Sequence, residues 1–371
     1  MFLSSWYPSK VIPTLGNFVQ RHAEAIASMH DVSALYITGR VGQKETFLVE
    51  DEMINGVKTT IVYYAAEKNG FVTKWRAFQK GIAFLKSSGR FRFDLVHFNV
   101  IWNAGWQAVW LKKRYGLPYL ISENYTGFDT SSRSDQPKGL KPFSKIVTKN
   151  AAFVCPVTMN LQQVMLKYGL KGTYSIVPNV VNTDMFRLHG PVPGVVRFLH
   201  ISTLNDAHKN ISGMLRCWKK CSDELPHIHL QVGGDGPVDH FRNMANDLEI
   251  RKDSISFFGE KTPPQVAELM QESDCLLMFS NYENLPLVII EALASGMAII
   301  STDAGGVAEH IDKSLGYVIN KKDEESLIAS INDYVKDPSR FKPEHQRKYA
   351  VEHFSIPSIA RQFDELYRKM I

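Results

Sequence analysis

Residues 274–306 constrain the fold more than any other part of this sequence. Two short apolar runs, at 275–279 and 297–301, flank an apolar stretch that begins at Leu285-Pro286 and ends at Gly296. Apolar runs of this length are typical of buried strands in a parallel sheet. Proline suits the first turn of a helix, because that position needs no N–H, and glycine commonly follows the last turn. The segment therefore predicts a strand, a helix and a second strand.

Two carboxylates belong to this segment. Glu291 is the one charged residue of an otherwise apolar helix, and Glu283 precedes that helix in the loop that leaves the first strand. A carboxylate inside an apolar helix is costly unless it has partners, and open α/β sheets bind ligands at the loops where their strands end. The spacing leaves two interpretations open. Both carboxylates line a ligand site, or Glu283 is solvated and Glu291 caps neighbouring backbone.

Apolar strands and helices alternate in two successive runs along the chain, and a Pro/Gly-rich segment at 189–194 lies between them. This pattern predicts an α/β protein with two Rossmann-like domains that face a cleft. We expect an N-terminal domain at 1–188 and a C-terminal domain at 189–356. The first includes a predicted strand at 174–177.

The run Glu-Asn-Leu-Pro-Leu-Val-Ile-Ile-Glu-Ala-Leu-Ala-Ser-Gly (283–296) resembles the signature of glycosyltransferase family 4, and 177–186 resembles the stretch where that family crosses between domains. The resemblance implies a retaining enzyme with the GT-B fold, an N-terminal acceptor domain and a C-terminal nucleotide-sugar domain. It also implies that the last helix, 357–371, packs back on the N-terminal domain. Glu283 would then contact the donor sugar and Glu291 the ribose hydroxyls, a vicinal diol that suits a carboxylate.

The resemblance extends to further residues on the donor side. Lys209 matches the family's phosphate-binding lysine, whereas Thr203 stands where the family usually has an arginine. A lysine at a helix start is unfavourable, and an anion there would remove the penalty. The glycines before helices and in the Gly-Gly-Asp-Gly-Pro loop either admit the donor or form tight turns. The other predicted donor residues are Gly16, Gly234, Gly236, Asn284 and Leu285.

Acceptor residues are predicted where strands of the N-terminal half end. His97 is the best-placed titratable residue and could orient an acceptor hydroxyl, although a buried structural histidine fits equally well. The remaining predicted acceptor-side residues are Asn99, Asn103, Glu123 and Asn124. The polar segment 129–139 is either an acceptor loop or plain surface. The resemblance implies a mechanism in which the leaving diphosphate takes the acceptor proton, and the replacement of family histidines at Asn99 and Asn124 fits it, because it weakens any claim for a protein general base. No metal and no other cofactor is expected, since no Asp-x-Asp motif stands where a metal site would need one.

Two other functions remain open. A nucleotide-sugar 2-epimerase with the same fold would share the nucleotide half but needs no acceptor. A non-catalytic nucleotide-sugar-binding subunit would fit the loss of the arginine at Thr203.

The charge distribution points to a partner of the N-terminal half. Residues 1–190 hold 23 Lys and Arg against 12 Asp and Glu, while residues 191–371 hold 20 against 26. No apolar run reaches the ~18 residues of a membrane span, no signal peptide is recognised, and four cysteines lack zinc-type spacing. We therefore predict a cytoplasmic protein, peripheral on an anionic membrane through a basic helix at 71–86, with a glycan or lipid-linked acceptor and no nucleic acid.

Overall fold

The computed structural model describes residues 1–128, 140–188 and 194–371. They form two compact units, each an α/β unit built on a mainly parallel sheet. The first comprises Met1–Val180 together with Ile356–Ile371, and the second comprises Val181–Ser355. The predicted α/β class with two sheet-based domains is confirmed.

A seven-stranded sheet with the order β3-β4-β2-β1-β5-β6-β7 forms the centre of the first unit. Its pairs are parallel except for the hairpin of β3 and β4, which turns at Asn55-Gly56 with positive φ at both residues. The strands are β1 (Phe2–Ser4), β2 (Ser33–Arg40), β3 (Phe47–Ile54), β4 (Val57–Ala65), β5 (Val96–Asn99), β6 (Tyr119–Glu123) and β7 (Phe153–Pro156). We call the edge where the parallel strands of a unit end its carboxyl edge.

Within the described part of the first unit, six helices cover this sheet. They are α1 (Asn17–Ala27), α2 (Phe71–Ser87), α3 (Ile101–Tyr115), α4 (Leu140–Asn150), α5 (Met159–Lys167) and α13 (Ile356–Arg368). α13 packs against α1, and Phe363 and Tyr367 enter the core that contains Phe2 and Ile26. The last helix of the chain thus completes the core of the first unit.

The second unit has a six-stranded, fully parallel sheet with the order β10-β9-β8-β11-β12-β13. Its strands are β8 (Val196–Ser202), β9 (Ile228–Gly234), β10 (Ile255–Phe258), β11 (Cys275–Met278), β12 (Ala298–Thr302) and β13 (Gly316–Ile319). Its helices are α6 (Asp206–Lys209), α7 (Ile211–Glu224), α8 (Val238–Asp247), α9 (Pro263–Gln271), α10 (Leu287–Ala294), α11 (Glu324–Lys336) and α12 (Pro343–Phe354). The strand–helix–strand prediction at 274–306 is confirmed by β11, α10 and β12.

The boundary between the units lies after Val180, not after residue 188. Val181 pairs with Ser355, and the Arg347 guanidinium donates to the carbonyls of Thr183 and Phe186. These contacts attach residues 181–186 to α12, so the segment belongs to the second unit. The predicted linker at 189–194 lies almost wholly outside the described residues.

Two local predictions differ from the structure. The expected strand at 174–177 is wrong, since only Tyr174 forms an isolated bridge, to Val154. The helix α4 was not predicted. Phe143 and Val147 of this helix pack against Gly105 of α3.

Candidate functional site

The loops that follow β11 and β12 pack backbone against backbone at the carboxyl edge of the second unit. Gly305 has φ +64°, and a Cβ built there would lie 2.0 Å from the carbonyl oxygen of Glu283. Gly306 N–H donates to the Asn284 carbonyl at 2.9 Å, and the Thr302 hydroxyl donates to the Ser280 carbonyl at 2.6 Å. Only a residue without a side chain fits at 305, and this contact fixes the backbone from which the Glu283 side chain extends.

Glu283 forms an ion pair with Lys209. Lys209 Nζ lies 2.5 Å from Glu283 Oε1, and the two side chains are 15% and 8% exposed. The segment after β8 and the loop after β11 thus place opposite charges in contact at one edge of the sheet. Because the pair is largely shielded from water, its electrostatic field is stronger than that of a surface pair.

Lys209 lies between two helices. It is the last residue of the four-residue helix α6, and it directly precedes Asn210, which has φ +50° and is the N-cap of α7. The predicted penalty for a cation at a helix start therefore concerns α7, the longer of the two helices. The anion beside Lys209 is Glu283, supplied by the protein itself.

The apolar environment of α10 holds the second carboxylate. Glu291 is 6% exposed, between the buried residues Ile290 and Ala292. Leu285 is also buried, and Asn284 presents its backbone carbonyl to Gly306. Glu291 is therefore placed inside α10 as predicted, while Leu285 packs as a core side chain.

A buried histidine that was not predicted holds the end of β8. The imidazole of His200 contacts the Leu277 carbonyl through Nδ1 at 2.8 Å and the Ser202 hydroxyl through Nε2 at 2.9 Å. Ser202 Oγ accepts from the Leu204 N–H at 3.1 Å. Burial lowers the pKa of His200 to about 4, and the Lys209 charge acts in the same direction. The only sequence signal for this role was a histidine inside an apolar strand. Periodicity alone does not distinguish a histidine that holds a loop from one that simply packs in the core.

The loop glycines of the second unit are explained by contacts within the protein. A Cβ at Gly234 (φ +144°) would lie 1.7 Å from the Ser202 carbonyl oxygen, and a Cβ at Gly236 would lie 2.4 Å from that of Thr203. Both glycines thus let the loop after β9 approach the loop after β8. Thr203 is exposed beside them.

Of the two interpretations left open for His97, the structure fits the buried structural histidine, because the side chain faces inward. It is 1% exposed, with Nδ1 2.6 Å from the Tyr367 hydroxyl and Nε2 2.7 Å from the Ser122 hydroxyl. It also borders a cavity of about 430 Å³ that Met1 and Leu95 line at the opposite edge of the sheet. Burial holds the pKa of His97 well below its usual value, so this imidazole is a neutral structural link to α13.

Glu123, predicted on the acceptor side, has both carboxylate oxygens occupied. Oε2 accepts from the Ile101 N–H at 2.9 Å, and Oε1 accepts from the N–H groups of Asn124 and Tyr125 at 2.9 and 2.7 Å. Burial raises its pKa to about 7 against these hydrogen bonds. Val100, next to Ile101, has φ +63°, a strained conformation for a β-branched residue. One buried carboxylate thus joins the loops that follow β5 and β6.

The remaining predictions for the first unit fall at the same edge. Asn99 is buried, and its Oδ1 has no hydrogen-bond partner among the described residues. Asn124 is half-buried and follows β6. Asn103 belongs to α3, but its side chain is not among those the structure describes. The segment 129–139 also lies outside the described residues. At Gly16 (φ +76°) a Cβ would lie 2.6 Å from the Trp6 carbonyl, so loop packing accounts for this glycine.

Three further observations concern the described ranges alone. Among these residues no group of three or more His, Cys, Asp or Glu side chains could hold a metal ion. All four cysteines are buried and free. Within 1–128, 140–188 and 194–371, the structure has no helix with the length and apolar character of a membrane span.

Comparison with known families accounts for both units. The family model for glycosyltransferase family 4 matches residues 15–185, and the model for glycosyl transferases group 1 matches residues 191–353.

Individual relatives are more distant. The chain is 30% identical over 173 residues to an N-acetyl-alpha-D-glucosaminyl L-malate synthase of Bacillus anthracis, covering 46% of this chain and 44% of the relative. It is 21% identical to an alpha-monoglucosyldiacylglycerol synthase of Streptococcus pneumoniae, covering 65% of this chain and 58% of the relative. The chain thus spans about half the length of these two relatives.

A solved structure gives the fold. The sucrose-phosphate synthase of Thermosynechococcus elongatus superimposes with a TM-score of 0.78 at 19% identity, covering 100% of this chain and 98% of that one. The fold is therefore GT-B, as the resemblance implied, and with both family models matched the chain belongs to the family 4, group 1 glycosyltransferases.

Proposed function

We propose that the protein transfers a sugar, with retention of anomeric configuration, from a nucleotide-diphosphate sugar to a glycan or lipid-linked acceptor. The observation that carries this proposal is the shielded Lys209–Glu283 ion pair at the carboxyl edge of the second unit. Family membership supplies the class of reaction, and the relative named for diacylglycerol glycosylation supports a lipid acceptor. A place in the synthesis of cell-surface polysaccharide or lipopolysaccharide is part of the proposal.

The ion pair suits a diphosphate leaving group. The Lys209 ammonium would shift from Glu283 towards the phosphate oxygens, where it offsets the charge that develops as the bond from C1 to the diphosphate oxygen breaks. Glu283, released in part, would accept hydrogen bonds from the sugar hydroxyls. Glu291 would hold the two ribose hydroxyls.

The proton balance needs no protein base. The acceptor oxygen attacks C1 on the face that the diphosphate leaves, and its proton passes to the departing diphosphate oxygen. The protein contributes position and charge stabilisation. His97 takes no part, since both of its ring nitrogens are engaged inside the core. The proposed reaction uses no metal, so chelation should leave the rate unchanged.

The test is a donor and acceptor screen on the full chain. Thermal shift with uridine, guanosine and adenosine diphosphates identifies the nucleotide, because a ligand at ~100 times its Kd adds ~2.7 kcal/mol of stability. Turnover is then measured with the matching sugar donors, and the anomeric configuration of the product is read by NMR.

The outcomes separate the alternatives. Donor consumption only when acceptor is supplied, with an unchanged anomeric configuration, supports the proposal. Conversion of the donor sugar without acceptor would identify an epimerase. Nucleotide binding without turnover across donors and acceptors would identify a non-catalytic subunit.

A further inference from the structure

Three neighbouring helices of the first unit carry positive charge alone. We call α2, α3 and α4 together the basic layer. α2 and α3 are joined by ring contacts of Trp75 and Phe78 with Trp106 and Trp110, and α3 packs on α4. The layer contains no Asp or Glu and ten cationic residues, namely Lys74, Arg76, Lys80, Lys86, Lys112, Lys113, Arg114, Lys141, Lys145 and Lys149.

The helices of the opposite face have mixed charge. In the strand order, the connection from β1 to β2 runs towards one side of the sheet, and the connection from β4 to β5 runs towards the other side. Because such connections are right-handed, α1 and α2 lie on opposite faces of the sheet. α1 contains Arg21 and Glu24, and α13 contains two arginines, Asp364 and Glu365. The charge of the first unit is therefore concentrated on one face.

The charges of the basic layer are available to a partner. None of the ten forms an ion pair with a described residue. Lys86 donates to the Tyr115 hydroxyl at 2.8 Å and lies over the Phe91 ring, contacts that leave its charge uncompensated. The nearby Arg90, outside the layer, instead pairs with Asp51.

One end of the basic layer is apolar and exposed. Phe71 and Val72, in the first turn of α2, are 65% and 60% exposed, and the Phe71 ring contacts Trp106 at 5.4 Å. α2 and α3 follow the parallel strands β4 and β5, so both helices begin at the carboxyl edge. The exposed apolar end thus lies on the edge of the first unit that carries Asn99 and Glu123.

We propose that the basic layer docks the protein on an anionic lipid bilayer, with Phe71 and Val72 entering the boundary between headgroups and acyl chains. This deepens the proposed function by naming the surface on which a lipid-linked acceptor is met, and it rests on that function. The cations of the basic layer attract anionic lipid headgroups. The aromatic and aliphatic side chains at its exposed apolar end suit the interface between headgroups and acyl chains. A nucleic acid would also bind cations, but it offers no apolar phase for an exposed valine and phenylalanine.

The experiment is co-sedimentation of the full chain with vesicles of phosphatidylcholine alone and with 30 mol% phosphatidylglycerol, at low and high salt. Binding is expected on the anionic vesicles only and should weaken as salt rises. The variant Lys74→Gln/Lys80→Gln/Lys113→Gln should lower the partition coefficient on the order of 100-fold. The matched control Lys220→Gln/Lys252→Gln/Lys313→Gln removes the same charge from exposed positions of the second unit and should bind like the wild type.

A second variant tests the apolar end. Phe71→Ser/Val72→Ser should weaken binding at high salt while leaving the salt dependence unchanged, since it removes no charge. Equal binding to neutral vesicles, or an equal loss in the lysine control, would overturn the proposal. The proposal would also be overturned if the protein bound single-stranded RNA instead of vesicles and the Lys74→Gln/Lys80→Gln/Lys113→Gln variant lost that binding.

The proposed function is assessed on the same samples by thermal shift with nucleoside diphosphates. Diphosphate binding without vesicle binding would overturn the docking surface alone. Absence of diphosphate binding would count against the donor site, whatever the vesicles show.

Discussion

The carboxyl edges of the two units use their polar residues in different ways. In the second unit, Lys209 and Glu283 come from different loops, and their functional groups meet each other. In the first unit, the Glu123 carboxylate at this edge is saturated by three backbone N–H groups, and His97, inside the core, is held by two hydroxyls. An ion pair can exchange its partner for a ligand, whereas a carboxylate that accepts three backbone N–H groups cannot be released without breaking a loop. Under the proposed function, the second unit therefore supplies the charges that meet the donor, and the first supplies a rigid framework.

The largest effect is expected from Lys209→Ala. Loss of the ammonium should lower turnover by roughly 100- to 1,000-fold, the range for removing one group that stabilises a transition-state charge. The exposed Lys220→Ala serves as the control, and the melting temperature of each variant shows whether Glu283 tolerates the loss of its partner. Glu283→Gln should also slow turnover but leave diphosphate affinity nearly intact. If diphosphate affinity survives Lys209→Ala, another residue is the cation, and the comparison between the edges fails.

Glu291→Gln should fold and bind nucleotide more weakly. A neutral amide loses hydrogen bonds worth ~1.5–3 kcal/mol each when one partner is charged, so affinity should fall by roughly 10- to 100-fold. Titration calorimetry with the nucleoside diphosphate measures this directly. Unchanged affinity would remove Glu291 from the ribose and leave it a structural residue like Glu123.

Glu123→Gln should affect the acceptor and not the donor. One of its two oxygens becomes an N–H donor that faces backbone N–H groups, which should cost ~1–3 kcal/mol and raise the KM for the acceptor several-fold. In the folded protein the pKa of Glu123 is raised to about 7. Between pH 7 and pH 4.5 the folded protein therefore binds a proton that the unfolded chain does not, so the free energy of unfolding of the wild type increases as the pH is lowered. The loss of stability in the variant should therefore be larger at pH 5.5 than at pH 8. A change in diphosphate affinity would contradict the separation of the two edges.

The smallest effect on turnover is expected from His97→Gln. An amide can replace the contacts to Tyr367 and Ser122, so kcat should stay within about twofold, against the 100-fold or more expected of a general base. The pKa of His97 is depressed in the folded protein. Below about pH 6.5 the unfolded chain therefore takes up a proton that the folded protein does not, so the free energy of unfolding decreases as the pH is lowered. The variant should therefore lose less stability than the wild type between pH 7 and pH 5, as measured by urea unfolding. A folded variant without turnover would make His97 catalytic after all.

The sequence predicted the second unit better than the first, for a physical reason. Residues 274–306 determine a strand, a helix and the loop that carries Glu283 through local apolar patterning, and the partner of Glu283 follows another strand at the same edge. The two interpretations of His97 could not be separated from the sequence, because its position near the end of β5 says nothing about what covers the side chain. The covering helix, α13, comes from the far end of the chain. The boundary after Val180 depends on Arg347 in the same way. Long-range contacts of this kind leave no local pattern.

The return of residues 356–371 to the first unit has a consequence for biosynthesis. A chain still on the ribosome can complete the sheet of the second unit while the first lacks Phe363 and Tyr367 and exposes the apolar surface that they cover. Domains generally fold as they emerge, N-terminal first, but here the N-terminal unit waits for the last helix. We expect the nascent protein to depend on chaperones until α13 has been made, and a stop codon placed before α13 to disable the half of the molecule that was made first.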